Sequence, residues 1–478
     1  MSTLLSRTKG RGGRPASPVR HVHLGLGAFH RAHQLAYTDL VDESNEWGVA
    51  SFTGRRPDAA HVLAAQDGLY TLVERGPRAD TQRVIQSLSH AFDGANVAQL
   101  ASLLASARVA IVTLTITEAG YCLSAEGRLD RTSPAVAADL LQLTLLRDCS
   151  DAGFTARLAE ARLTTVLARL VAALEARRRA HGEPISLVPC DNLPDNGALL
   201  GELIAAYGES LGEEFTTWAT SAVSSVSTSV DRITPATTAG DLATVERRGG
   251  YLDRAVVVTE PFSDWVLSGV FRAGRPAWDR AGARFVTDLE PFENRKLWML
   301  NGAHTLLANA GRLLGFETVA EAIGDETLLA ATLELWDEAE WCLPGEGLRL
   351  DEYRQALLAR FGNSRIEHRL DQIASDTATK LAVRVAPVAI ARLDSGLPAT
   401  ASARAVAAWI AALESTTSVA DSRGDEILAA REAAASDRPR SFVSLLSDEL
   451  AQHDTFVRDV SEFLSDFQNR TTTVRSRT

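Results

Sequence analysis

Arg20-His-Val-His-Leu-Gly25-Leu-Gly27-Ala-Phe-His-Arg-Ala-His-Gln-Leu-Ala-Tyr37 is the stretch that decides the fold. Arg20 to Leu24 alternates polar and apolar side chains, the period of a strand. Gly25 and Gly27 then bracket a turn, and Ala28 onward reads as a helix. Strand, glycine turn and helix is the order in which a Rossmann-type domain cradles a dinucleotide, with backbone N–H groups at the turn facing the pyrophosphate. Phe29 and His30 are the first helical neighbours of that turn, and Arg31 adds a charge suited to phosphate. His30 stands where the usual fingerprint has its third glycine, and a lone Gly-x-Gly also suits an ordinary turn.

Downstream, Trp47–Phe52, Leu69–Val73 and Arg83–Gln86 read as strands and Asn96–Ala105 as a helix. Arg108–Ile116 is a continuous apolar run of the kind buried on both faces of a parallel sheet. A long helix is expected over Ala156–Ala180, with strands at Pro184–Pro189 and Ala255–Thr259. Such alternation predicts an α/β domain with a mostly parallel sheet. After Pro291 the chain reads as helix almost throughout, with breaks at Pro387 and Pro398 and a helix pair or mobile linker over Ala412–Pro439. The expected organisation is a disordered tail over residues 1–18, a Rossmann-type dinucleotide-binding domain over 19–290, and a mostly α-helical substrate and catalytic domain over 291–478.

At 478 residues the chain exceeds one ordinary core, so more than one domain is required. A hydrophobic fraction of 45% with 23% charged residues is that of a soluble globular protein. A net charge of −12 argues against nucleic acid as the main partner, because phosphate backbones need a basic stripe. Cys122, Cys149, Cys190 and Cys342 are far apart, which suits free thiols in a reducing cytoplasm. No apolar run reaches the roughly 18 residues of a membrane span, and the opening segment lacks the apolar core of a signal peptide. A cytoplasmic protein without nucleic-acid or membrane partners is expected.

A second run, Lys296-Leu-Trp-Met-Leu-Asn301-Gly-Ala-His304, holds an amine, an amide and an imidazole among apolar residues. On an α-helix these three fall at about 0°, 140° and 80°, within one broad face. A desolvated lysine suits proton abstraction, Asn301 can donate to an oxygen, and His304 can donate or accept. Together they suit removal of a hydroxyl proton and stabilisation of the oxyanion, although three solvated polar groups on a surface helix would show the same spacing. No metal is expected: there is no His-Glu-x-x-His, and His21, His23, His30 and His33 gather near the glycine turn without a closed ligand spacing. A serine nucleophile lacks its Gly-x-Ser-x-Gly elbow.

Six blocks in order resemble the mannitol dehydrogenase family, the polyol-specific long-chain dehydrogenases. They are His23–Gln34, Thr115–Tyr121, Cys190–Gly197, Ser229–Pro235, Glu260–Trp265 and Lys296–His304. The resemblance runs from about residue 19 to at least residue 400. It implies that Lys296 is the general base and that Asn192 and Asn301 form an oxyanion hole, with His304, Asp231 and Lys380 contacting substrate. Glu293 would tune Lys296 or relay its proton, or serve only as a carboxylate near a helix N-terminus. Two departures stand out: Asp376-Thr-Ala378 replaces the usual Asp-Gly-Ser, and Gln372 stands where some mannitol dehydrogenases carry arginine. Around His368–Gln372 the hexonate branch is the better likeness.

NAD is the expected cofactor, and Arg55 and Arg56 beside Asp58, after the second strand, leave NADP open. Mannitol and fructose are the first expected pair. Mannonate and fructuronate come second and mannitol 1-phosphate third, with Arg369 and Arg384 as carboxylate partners or solvated charges. The partner is thus a small polyol, ketose or sugar acid, and a monomer is expected. A nucleotide-binding relative without turnover is the non-enzymatic alternative, which the retained Lys296, Asn192, Asn301 and His304 oppose.

Overall fold

Val19–Leu24 is the first strand (β1) of a six-stranded sheet. Gly48–Phe52 (β2), Leu88–Phe92 (β3), Ile111–Leu114 (β4), Ile185–Pro189 (β5) and Val223–Ser225 (β6) complete it. Every pairing is parallel, in the order β3-β2-β1-β4-β5-β6. That is the Rossmann order, and it reverses between β1 and β4, where dinucleotides bind. The computed structural model describes residues 2–8, 13–416 and 421–475. It divides into two compact units, Met1–Leu289 and Glu290–Thr478.

In the first unit the chain leaves β1 through the glycine turn into Ala28–Ala32 (α1) and Gln34–Val41 (α2). Val97–Leu104 (α3) and Val166–Ala180 (α4) share an apolar core with Val22, Leu24, Val112, Leu114 and Leu187 of the sheet. The alternate residues of β1, His21 and His23, point the other way, as strand geometry requires, and are also fully buried. An alternating sequence therefore marks a strand covered on both faces.

The strands expected around Leu69, Arg83 and Ala255 exist, but outside this sheet. Tyr70–Arg75, Asp80–Ile85 and Val257–Thr259 form a separate three-stranded sheet. Ser227–Asp231, Asp264–Ser268 and Arg284–Val286 form another.

Two expectations need correction. The single helix over Ala156–Ala180 is broken: one helix ends at Glu160 and α4 begins at Val166. Buried Asp139 accepts the N–H groups of Thr164 and Thr165 at 2.8 and 2.7 Å, and Thr165 caps α4. Those bonds outweigh the propensity of an Ala- and Leu-rich run. The tail is not disordered where it is described. Thr3–Leu4 pairs in parallel with Tyr251–Leu252, Leu5 is buried, and the Arg7 guanidinium donates to the carbonyls of Asp67, Arg14, Gln86 and Leu88. Residues 9–12 of that expected tail lie outside the described residues.

The second unit is helical, as the sequence reads. Its main elements are the helices Glu290–Arg295, Gly302–Leu313, Glu326–Cys342, Thr377–Arg384, Thr400–Glu414 and Asp454–Arg475. Gly302–Leu313 lies at the centre, buried along nearly its whole length. The N-terminus of Thr400–Glu414 is held by buried Glu338, which accepts Ala401 N–H, Ser402 N–H and the Ser402 hydroxyl at 2.7–2.9 Å. A carboxylate there meets both unpaired N–H groups and the helix dipole. Over Ala412–Pro439, helices follow at Gly424–Glu432 and Arg438–Ser444, while 417–420 lie outside the described residues. Among the described residues no helix is long and apolar enough to cross a membrane.

Candidate active site

In the first unit, the sequence blocks singled out above fall at the carboxyl ends of the parallel strands. Gly25–Gly27 follows β1, Arg55 and Asp58 follow β2, Thr115–Tyr121 follows β4, and Cys190–Gly197 follows β5. Ligands of open parallel sheets bind at that edge. Gly25 has φ +111°, and a Cβ there would lie 2.2 Å from the Thr115 carbonyl oxygen. Glycine is obligatory at this position. A Cβ on Gly27 would meet only the Gly25 carbonyl oxygen, at 3.7 Å, so that flank stays open to a close-lying ligand. An open flank followed by the first N–H groups of α1 suits a dinucleotide diphosphate.

The residues named with the turn divide. His30 is fully buried and both ring nitrogens are engaged, Nε2 with Ser51 Oγ at 2.9 Å and Nδ1 with Gln34 Oε1 at 3.2 Å. Its side chain packs the helix onto the sheet, so direct cofactor contact by that ring is corrected. Arg31 donates to the carbonyls of Gly27 and Ala255 at 3.2 and 2.7 Å and so ties the turn to the neighbouring sheet. Burial lowers its pKa from the usual range. Phe29 stacks on His33 with ring centroids 5.0 Å apart. Arg55 and Asp58 are exposed, and Asp58 pairs with Arg56 at 2.9 Å.

Asn192 lies exposed in the bend after β5, and its neighbours hold that bend. Asp191 accepts the Tyr121 hydroxyl and, at 3.2 Å each, Leu193 N–H and the Asn196 amide. Burial raises the Asp191 pKa against these bonds. Fully buried Asn196 also donates to Thr228 O at 3.0 Å and accepts Thr228 N–H at 2.9 Å. It thereby joins the Asn192 bend to the strand ending at Asp231. A Cβ on Gly197 would sit 2.5 Å from Ser227 N, so that joint requires glycine.

Asp231 is half-buried and lies opposite Asp264 in the antiparallel register. Next to it, buried Arg232 donates to Ala32 O, Glu260 O and Glu74 Oε1 at 2.6–3.2 Å. Tyr121, Asp191, Asn196 and Arg232 sat inside the quoted blocks, but sequence reading assigned them no part. The sign that could have found them is their chemistry: polar residues between apolar ones must be bonded if buried.

In the second unit the Lys296 run is not an α-helix. Lys296–Asn301 is a π-helical turn set between Glu290–Arg295 and Gly302–Leu313. A π-turn bonds residue i to i+5. Lys296 and Asn301 are five residues apart, so on this wider turn they fall nearer one face than the about 140° of an α-helix. Side chains from this and neighbouring helices also bond carbonyls of the turn. Trp336 Nε1 donates to Met299 O at 2.8 Å, and Thr305 Oγ1 and Arg384 Nη1 donate to Asn301 O at 2.9 and 3.3 Å. Lys296, Asn301 and Glu293, three residues before the lysine, are half-buried.

His304 follows on the same helix and is buried against Phe361 and His368, at centroid distances of 4.8 and 4.7 Å. Burial, reinforced by His368, Arg360 and Arg384, holds its pKa far below the usual value, so the ring is neutral. Its Nε2 is buried and has no hydrogen-bond partner among the described residues. Arg384 is half-buried. It bonds Asn301 O and Thr305 Oγ1, and burial alone draws its pKa down to about 10, with no carboxylate beside it among the described residues.

Lys380 turns its ammonium onto Ile373 O at 2.9 Å and Ser375 O at 2.5 Å, closing the loop before its own helix. Burial and Arg384 lower its pKa. Gln372 is exposed on the short helix Leu370–Ile373. Arg369 is half-buried and its side chain pairs with Asp371 and Glu317 at 3.2 and 3.3 Å, as suits its alternative reading as a surface charge.

The mannitol dehydrogenase Rossmann domain matches residues 19–280, and the mannitol dehydrogenase C-terminal domain matches 288–468. The chain belongs to the mannitol dehydrogenase family. Within that family it is 37% identical over 377 residues to the uncharacterized oxidoreductase YdfI of Escherichia coli (strain K12), spanning 77% of this chain and 73% of that protein. It is 33% identical over 403 residues to D-mannonate oxidoreductase of the same strain, spanning 82% and 79%. Among solved structures, Pseudomonas fluorescens mannitol 2-dehydrogenase in a ternary complex with NAD and D-mannitol matches with a TM-score of 0.74 and 30% identity, over 96% of this chain and 94% of that one.

Proposed function

We propose that this protein is an NAD-dependent secondary-alcohol dehydrogenase that interconverts a mannitol-configured polyol and its 2-ketose. The observation that carries the reading is the π-helical turn Lys296–Asn301, which sets the two residues one i, i+5 step apart and so nearer one face than an α-helix would. A base and an oxyanion donor on one face are what oxidation of a hydroxyl requires. Lys296 takes the hydroxyl proton. Asn301 and Asn192 donate N–H groups to the oxygen as its charge develops, and neutral His304 fixes a neighbouring hydroxyl. Bound NAD supplies the hydride acceptor, with its diphosphate against the Gly25–Gly27 turn. Asp231, Lys380, Gln372 and Glu293 belong to the surroundings of the substrate, Lys380 by holding the loop that carries Gln372.

A second reading has an observation of its own. Arg384 is a half-buried cation one bond from the Asn301 carbonyl, with no acidic partner among the described residues. A sugar acid would give it one, and D-mannonate oxidoreductase is among the relatives. A screen of fructose, fructuronate, tagaturonate and fructose 6-phosphate with NADH and NADPH separates the readings. Fructose with NADH is expected to be fastest. A clear preference for fructuronate moves the assignment to the sugar acid, strict use of NADPH removes NAD, and inactivity on all four removes the dehydrogenase reading.

A further inference from the structure

Two hydrogen-bonded chains run beneath the Gly25–Gly27 turn. A carbonyl can only accept, so the Thr115 hydroxyl donates to Gly25 O, at 2.8 Å. The Thr115 oxygen then accepts His23 Nε2–H at 2.9 Å. Burial keeps His23 neutral, so its Nδ1 carries no proton and accepts the Thr113 hydroxyl at 2.7 Å. The Thr113 oxygen accepts His21 Nε2–H at 2.6 Å. In the second chain Gln34 directs its amide N–H to His33 Nδ1 at 3.1 Å and its oxygen to His30 Nδ1–H at 3.2 Å, while His30 Nε2 accepts from Ser51. The rings of His23 and His30 stack face to face, 3.3 Å apart and 2° from parallel.

The first chain ends on one particular peptide plane. Thr115 holds the Gly25 carbonyl from just past the end of β4, and Phe52 O at the end of β2 accepts the Leu26 N–H of the same plane at 2.8 Å. Both ends of the Gly25–Leu26 peptide are thus fixed, from either side of β1. Removing the Thr115 hydroxyl would leave a carbonyl and a histidine N–H without their partner at a half-buried position.

We propose that Thr115 and His23 are positioning residues for cofactor binding: their hydrogen-bond chain locks the Gly25–Leu26 peptide so that the N–H groups that follow keep one aim at the dinucleotide diphosphate. The proposal rests on the NAD-dependent reading above. It gives the histidines in the opening motif a scaffold role with fixed tautomers, His23 protonated on Nε2 and His30 on Nδ1.

The test combines NADH titration by protein fluorescence, steady-state kinetics and ¹⁵N NMR of the histidine rings in the full chain. Thr115→Val is expected to raise the NADH Kd and the NAD KM about tenfold or more, the size of one or two lost buried hydrogen bonds. Its kcat at saturating cofactor should stay within about threefold of wild type, and Thr115→Ser should restore the Kd. If Thr115→Val does not fold, the wild-type tautomers decide. An unchanged Kd in folded Thr115→Val, or a His23 ring protonated on Nδ1, overturns the proposal and leaves the dehydrogenase reading standing. A wild-type chain that binds no nicotinamide nucleotide overturns both.

Discussion

Histidines mark two regions of this molecule, and the surroundings treat them in opposite ways. Near the glycine turn His23, His30 and His33 each engage both ring nitrogens, with hydroxyl, amide or carbonyl partners. On the helix after the π-turn, His304 is also buried, yet among the described residues its Nε2 has no partner and the nearby Arg384 no carboxylate. Burial alone does not separate scaffold from site; satisfaction does. A buried polar group with every bond made rigidifies the fold, whereas one held dry and incomplete is suited to a ligand. His21 Nδ1 is the exception in the first region, an acceptor left over at the end of its chain.

The strongest way to break this contrast is to mutate the poised region. Lys296→Ala should lower turnover at neutral pH by at least about 10²-fold, the usual yield of positioned proton transfer. NADH affinity and melting temperature should change little. A large fall in melting temperature with turnover per folded molecule retained would make Lys296 a scaffold residue instead.

Acid should act on the scaffold. His21, whose pKa is lowered to about 3, and His23 and His30, held well below the ordinary histidine value by burial, stay neutral in the folded chain while their unfolded counterparts protonate near pH 6.5. The unfolded state then binds more protons, so stability falls as pH drops below about 6.5, by up to about 1.4 kcal/mol per pH unit for each histidine. Unfolding midpoints in urea between pH 7 and 5 measure this, and a flat profile would show that the histidines protonate without unfolding. A smaller effect is expected from Asn196→Ala, which removes the bridge between the Asn192 bend and Thr228. The unpaired groups left behind cost about 1–3 kcal/mol in denaturant titration, with kcat falling as Asn192 loses its support. Smallest is Arg56→Ala: its pair with Asp58 is on the surface, with both side chains more than two-thirds exposed, and the melting temperature should not move measurably.

The Rossmann half was legible because its signals are local. A strand, a glycine turn and apolar runs encode a parallel sheet through side-chain periodicity and φ freedom, which one chain segment displays by itself. The helical half was legible as helix for the same reason. What sequence did not display depends on distant partners. Asp139 breaks the helix expected over Ala156–Ala180 from 25 residues away in the chain. The π-turn at Lys296 is held by Trp336 and Arg384, so its register could not be read from nine residues. Likewise Arg369 and Arg384 read alike as cations, and only their neighbours among the described residues, two carboxylates for one and none for the other, tell them apart.

The pH dependence of polyol oxidation in wild type and Lys296→Ala, with NAD saturating, bears most directly on the central claim that Lys296 is the base on the π-turn. Wild-type kcat should rise with pH through a single ionisation, and the variant should be slow and lack that step. The same ionisation in both proteins, or a variant of near-normal rate, would contradict it.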